Sequence, residues 1–174
     1  MNPIYRADLP MLAEHRNDES TWAYLSDASP VWSHKQDQWL ESLGGDRMYF
    51  LAFVSPDKGQ YIAKQTPTGF LRLTDIDWLN GTAMIGLDVF KSFRGKGHSF
   101  PIMEMFIKYV FDNFRIRKLS LLVVDGNRAA QKTYDKCGFV TEGNLKDHIY
   151  RNGEYHDYVY MSLFREEYYG DPAI

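Results

Sequence analysis

The residues best suited to chemistry lie in "FRGKGHS", Phe93 to Ser99, where the cations Arg94 and Lys96 alternate with Gly95 and Gly97 just ahead of an apolar run. A helix N-terminus leaves backbone N–H groups unsatisfied and carries partial positive charge, and glycine lets an anion approach the backbone closely. Added side-chain cations suit a pyrophosphate better than a single carboxylate. Two familiar phosphate loops are excluded by spacing, because neither Gly-x4-Gly-Lys-Ser/Thr nor Gly-x-Gly-x-x-Gly fits Gly95 and Gly97. Alone, the stretch reads equally well as a surface turn with solvated lysine.

The elements that must position this loop are predicted by periodicity. Ile102, Phe106, Val110 and Phe114 recur at helical spacing, and Pro101 fits a helix only in its first turn, so the loop opens a helix. Upstream, "MYFLAFVS" from Met48 reads as a strand, "PDKG" as a turn, and "GFLRLTDIDWLNGTAMIGLDVF" as two strands about Asn80-Gly81. Both turn residues tolerate the positive φ of a type I′ hairpin. Two helices are expected before these strands, one carrying Leu9, Leu12 and His15 or Arg16, the other running from a Ser33 cap to Gly44. Downstream, "KLSLLVV" predicts a buried strand and "NRAAQKTYDKCGF" a helix closed by Gly138. "VTEGNLKDHIYRNGEYHDYVYMSLF" then predicts two long strands about Asn152-Gly153. This order implies a mixed α+β sheet flanked by helices, in one domain over residues 1–174.

Composition narrows the function. A chain of 174 residues with 44% hydrophobic content can bury a real core. Its formal charge of −3 and pI near 5.9 argue against a nucleic-acid-binding surface. Cys137 is the only cysteine, which excludes a disulfide framework or thiolate cluster and favours a reducing compartment. It reads as a small buried filler. The five histidines show no metal-ligand spacing, so no metal is expected. No signal-peptide pattern opens the chain and no stretch reaches the roughly 18 apolar residues of a membrane span, so a cytoplasmic protein is expected.

Asn127, Ala130, Tyr134 and Gly138-Phe139 follow the loop by about thirty residues. With Arg94, Gly97 and Ser99 they resemble the GNAT superfamily of acetyl-CoA-dependent N-acetyltransferases. Members carry Arg/Gln-x-x-Gly-x-Gly/Ala between the fourth strand and third helix, then Asn-x-x-Ala-x-x-x-Tyr-x-x-x-Gly-Phe after the fifth strand. Ser99 stands where Gly or Ala is usual. The resemblance spans nearly the whole chain and is strongest to the branch of ribosomal-protein N-terminal, polyamine and nucleotide-amino-sugar acetyltransferases. In "HRNDESTWAYL", His15 replaces the usual Trp, and the family's first strand is clipped.

The resemblance implies a mostly antiparallel sheet whose fourth and fifth strands splay apart to admit acetyl-CoA as co-substrate. It assigns the backbone around Val89 and Phe90 to the thioester, and Arg94, Gly95, Lys96, Gly97, His98 and Ser99 to the pyrophosphate. Asn127 and Ala130 fall to the pantetheine arm, and Tyr134 to the acid that protonates the leaving sulfur. Asn127 also reads as a helix N-cap, Tyr134 as a half-buried core tyrosine, and His98 as a surface residue. Many relatives place Glu where this chain has Met84. Asp88, on the same face of the strand, is the candidate base or amine anchor, or else a structural carboxylate held by backbone or arginine. Asp75 and Asp77 come next, or are solvated hairpin charges.

A missing glutamate favours amines less basic than lysine, whose pKa is about 10.4. The expected reaction is transfer of acetyl to the primary amine of a small molecule, an amino sugar first. Protein N-terminal and polyamine acetylation are the alternatives within the enzyme class. A non-catalytic acyl-CoA-binding module of the same fold is the alternative outside it. Neither nucleic acid nor membrane is expected as a partner. Tyr155, His156 and Asp157 are candidates for the acceptor cleft or a homodimer contact.

Overall fold

The computed structural model describes residues 1–25, 27, 29–54 and 66–170, and the turn expected at "PDKG" lies outside the described residues. A two-residue strand β1 (Asn2–Pro3) precedes α1 (Leu9–Asn17), α2 (Glu19–Trp22) and α3 (Ser33–Glu41). Then come β2 (Met48–Ala52), β3 (Gly69–Asp77), β4 (Thr82–Val89), α4 (Ser99–Asn113), β5 (Lys118–Val124) and α5 (Arg128–Lys136). The hairpin β6 (Val140–Arg151) and β7 (Glu154–Phe164) leads into a short α6 (Arg165–Tyr169). Three helices thus precede β2 where two were expected. The first strand is two residues long, with Asn2 opposite Leu51 and Pro3 opposite Phe50.

The seven strands form one sheet in the order β1-β2-β3-β4-β5-β7-β6, antiparallel except where β4 runs beside β5. Alternation along β3 sends Leu71 and Leu73 into the main core under α4, while Phe70 joins a second cluster with Leu12 and Phe90 on the other face. Ile102, Phe106 and Val110 are buried along α4, as their spacing predicts. Phe114 lies one residue past the helix and closes it against Trp78 and Tyr109.

The two Asn-Gly pairs behave differently. At Asn152-Gly153 both residues have positive φ, 52° and 87°, and join β6 directly to β7 as a type I′ turn. At Asn80-Gly81 only Gly81 does, and the connection from Asp77 to Thr82 is longer. Asp77 builds that loop. Its carboxylate accepts from the backbone N–H of Leu79 at 3.0 Å and of Asn80 at 2.9 Å, and from the Asn80 side-chain amide at 2.6 Å.

β4 pairs with β5 only at Thr82–Lys118, Ala83–Leu119 and Met84–Ser120. Beyond these, β4 continues along β3 to Val89 and β5 continues along β7 to Val124, so the two strands part. α5 returns across this gap and ends in a Schellman motif. The N–H of Gly138 donates to Asp135 O at 3.1 Å and that of Phe139 to Tyr134 O at 3.0 Å, with Gly138 at φ +91°. Gly138→Ala puts a Cβ 3.4 Å from Leu163 Cδ1 in a backbone region that L-residues resist. It should cost about 1–2 kcal/mol, a fall of roughly 2–8 °C in Tm for a chain of this size, read by thermal unfolding.

Candidate active site

The parted strands open into a cleft of about 840 Å³, walled by Met84–Val89 of β4, Leu122–Val124 of β5, the glycine loop, the start of α5 and the segment after α1. Of the residues expected from sequence it gathers Asp88, Val89, Arg94, Gly95, Gly97, His98, Ser99, Asn127, Ala130 and Tyr134. Phe90 and Lys96 are not among its walls. The Phe90 ring is buried edge-on against His15 at 4.7 Å, and its N–H donates to Thr68 O, so it supports the cleft from behind. Lys96 is exposed beside the Phe93 ring.

The loop is open toward an anion. Backbone N–H groups from Gly95 to Ser99 donate to no described residue, and a Cβ on Gly95 (φ +72°) or Gly97 (φ +78°) would meet nothing within 4 Å. Ser99 ties the start of α4 to α5 through Thr133, Oγ to Oγ1 at 3.1 Å. His98 packs on Phe93 and makes no capping bond. Arg94 departs from expectation: its guanidinium turns away from the loop. Nε donates to Val89 O at 2.9 Å, Nη1 to Ser20 O at 3.0 Å and Ser20 Oγ at 2.8 Å, and Nη2 to Thr21 Oγ1 at 2.6 Å.

Across the gap, Asn127 caps α5 by accepting from the Ala130 N–H at 3.2 Å, and its side-chain NH2 has no described partner. Two turns after Asn127, Tyr134 lines the cleft while its hydroxyl makes no hydrogen bond to any described residue. Burial pushes this hydroxyl up to about 12, against the pull of Arg72. It therefore stays protonated throughout the neutral range. Cys137 is buried nearby and burial pushes its thiol up to about 12 as well, which fits an inert filler.

Asp88 is held by Arg72, which sequence reading did not single out. Nη1 of Arg72 bonds Oδ2 and Nη2 reaches Oδ1 at 3.3 Å. Gly86, opposite Arg72 in the register, makes the space, since a Cβ there would lie 2.8 Å from Nη2. His15 Nε2 lies 4.0 Å from Asp88 Oδ2 with no hydrogen-bond partner, and burial lowers its pKa despite the carboxylate. The histidine is thus neutral at pH 7. Asp27 is tied to Arg16 and to the Ser29 N–H. Asp75 lines the cleft on a bulge of β3 at φ +50°, taking only the Thr74 hydroxyl at 3.1 Å, with no described cation at ion-pair distance. Asp77 is consumed by its turn. Of the Tyr155, His156 and Asp157 group none lines the cleft, whereas Tyr158 does.

Among the described residues, no group of His, Cys, Asp and Glu side chains is placed to hold a metal ion. No helix among them is long and apolar enough to cross a membrane.

A sheet parted at the one parallel pair among the described residues, with a glycine loop of open N–H groups at one end and Tyr134 lining the gap, fits an acetyltransferase fold. Residues 1–140 match the acetyltransferase (GNAT) domain, and the chain belongs to that family. Acetyl-CoA as donor and an amine as acceptor follow from that membership. The chain is 27% identical over 171 residues to spermidine N(1)-acetyltransferase of Vibrio cholerae, covering 97% of this chain and 94% of that protein. It is 32% identical over 103 residues to Bacillus subtilis YdaF, provisionally named a ribosomal N-acetyltransferase, which is 59% of this chain and 56% of that protein. The crystal structure of spermidine N-acetyltransferase from Vibrio cholerae in complex with CoA and spermine has the same fold. Its TM-score is 0.85 at 22% identity, over 97% of this chain and 96% of that one.

CoA at 100 times its Kd should add about 2.7 kcal/mol of stability, a rise of roughly 5–11 °C in Tm. Acetyl-CoA should do the same and ATP at equal concentration should not, in a thermal-shift assay.

Proposed function

We propose that the protein is an acetyl-CoA-dependent N-acetyltransferase whose acceptor is a polyamine of the spermidine type, the whole chain acting as one domain. The observation that carries the acceptor is Asp75, the cleft carboxylate with no described cation at ion-pair distance, Arg47 acting on it only from farther away. A polyamine brings several ammonium groups about 5–6 Å apart, and a free carboxylate at the rim can hold one while another enters the site. Similarity over 97% of the chain to a spermidine acetyltransferase supports the same reading. The amino-sugar acceptor expected from sequence is set aside. It rested on the missing glutamate and on the resemblance of the "HRNDESTWAYL" and "SHKQDQWLESL" segments to nucleotide-amino-sugar acetyltransferases, whereas the relatives point to spermidine.

Acetyl-CoA supplies an activated thioester. In this reading the Gly95–Ser99 N–H groups hold its phosphates and the Asn127 side-chain amide its pantetheine arm. The acceptor nitrogen is oriented by Asp88, which Arg72 fixes in one direction. The acceptor ammonium first gives one proton to solvent; as C–N then forms and C–S breaks, the Tyr134 O–H gives its proton to the sulfur and is restored by the second proton, lost from the attacking nitrogen. A protonated phenol is what this step needs, and burial keeps it so. Edge strand β6 offers a surface for a second copy, and a dodecamer is described for spermidine N-acetyltransferase from Vibrio cholerae.

The reading is tested by thiol release from acetyl-CoA with spermidine, spermine, N-terminal peptides and amino sugars supplied separately. Turnover with the polyamines supports it, and turnover confined to another class overturns it. Asp75→Asn should raise the spermidine KM by about 10- to 100-fold, the worth of a charged hydrogen bond of roughly 1.5–3 kcal/mol, with the acetyl-CoA KM unchanged. Tyr134→Phe should lower kcat at least ~100-fold while acetyl-CoA still binds. A non-catalytic binding module would show no turnover for either variant to lose.

A further inference from the structure

α2 is only four residues long, too short to hold itself together in water, so its place against the cleft depends on tethers from outside. Those tethers are cations from distant parts of the chain. Lys91 Nζ meets Asp18 Oδ2 at 2.8 Å. Arg151, at the end of β6, donates through Nε to Trp22 O at 3.4 Å and through Nη2 to Leu25 O at 2.5 Å. Arg94 binds Ser20 O, Ser20 Oγ and Thr21 Oγ1 together, and through Nε it also grips Val89 O at the end of β4. Thr21 is 4% exposed, so its bond to Arg94 is shielded from water.

Arg94 immediately precedes Gly95, the first open N–H of the loop. One guanidinium therefore joins three places: the loop, the end of β4, and the segment whose Ser20, Thr21, Tyr24 and Leu25 form a wall of the cleft. That wall packs beside α1 and shares the cleft with Arg72, Asp75 and Asp88. On the acetyltransferase reading, on which this inference rests, it is the acceptor side.

We propose that Arg94 is not a phosphate ligand but a positioning residue that couples the cofactor loop to the acceptor wall, so that CoA binding at Gly95–Ser99 orders residues 18–25. A side chain with every guanidinium nitrogen engaged by protein oxygens has no free fork for a pyrophosphate. Drawing it to the phosphates would release α2.

The test is amide hydrogen exchange of the full-length protein with and without CoA, together with CoA affinity by calorimetry, and no acceptor is added. In the unmodified protein CoA should slow exchange both in 95–100 and in 18–25. In Arg94→Ala, exchange in 18–25 should be at least tenfold faster and indifferent to CoA. CoA should still protect 95–100 and bind within threefold of its original Kd. The doubly substituted S20A/T21V, which leaves Arg94 in place, should loosen 18–25 in the same way, and it carries the test if Arg94→Ala does not fold. A loss of CoA affinity of tenfold or more in Arg94→Ala, with or without loosening, assigns the guanidinium to the phosphates and overturns the proposal. So does unchanged exchange of 18–25 in S20A/T21V. Because no acceptor enters, failure of spermidine as a substrate leaves this result standing.

Discussion

The site depends on one local failure of pairing: β4 and β5 share a ladder only as far as Met84 and Ser120. Every backbone N–H and C=O past that point on the facing edges must find another partner or meet water. The sheet tolerates this because each strand stays fully paired on its other side, β4 with β3 and β5 with β7. The gap is thus bordered by rigid strands, and an extended ligand with amide groups can enter as a substitute strand. Placing the anion loop at the end of β4 and the cap of α5 at the end of β5 follows from chain continuity alone.

What the gap exposes, α5 and its surroundings regulate. The Schellman closure at Gly138 fixes the last turn of α5 and with it Tyr134, a buried side chain that lines the cleft and whose hydroxyl bonds no described residue. A hydroxyl facing the cleft with no protein partner is free to meet a ligand, unlike that of the neighbouring Thr133, which bonds both Ser99 and the Ala129 carbonyl. The Arg72–Asp88 pair is the complementary case. Two charges lie partly buried at the cleft, satisfied by one another, in a space that exists because position 86 is glycine.

The parts of this arrangement legible in the sequence are those encoded within a few residues. Pro101 and the stripe after it mark α4, Gly138 ends α5, Asn127 caps it, and Asn152-Gly153 turns the last hairpin, because each constraint is set by φ or by a nearby side chain. At Asn80-Gly81 the expected hairpin forms, but not with a type I′ turn. The dipeptide allows a tight turn, but Asp77 offers its backbone competing partners and lengthens the loop. Nothing local marks Arg72, an arginine in an apolar strand whose meaning depends on Gly86 across the register. Asp75 and Asp77 look alike in sequence, and only a bulge in β3 sends one to the cleft and the other to a turn.

Arg94 shows why cations beside a glycine loop are a poor guide to what binds the anion. The sequence offers Arg94 and Lys96 as equals, yet a guanidinium with a planar fork is the better ligand for carbonyl and hydroxyl oxygens held in fixed positions. α2 presents such oxygens, and the arginine goes to them. Lys96 stays exposed, where water screens it. On the proposed reading, what remains for the phosphates is the row of open N–H groups at Gly95–Ser99 and the dipole of the fifteen-residue helix behind them. The motif then divides by what each part has left to offer: the backbone donors around the glycines stay open, while the arginine side chain is claimed by the wall.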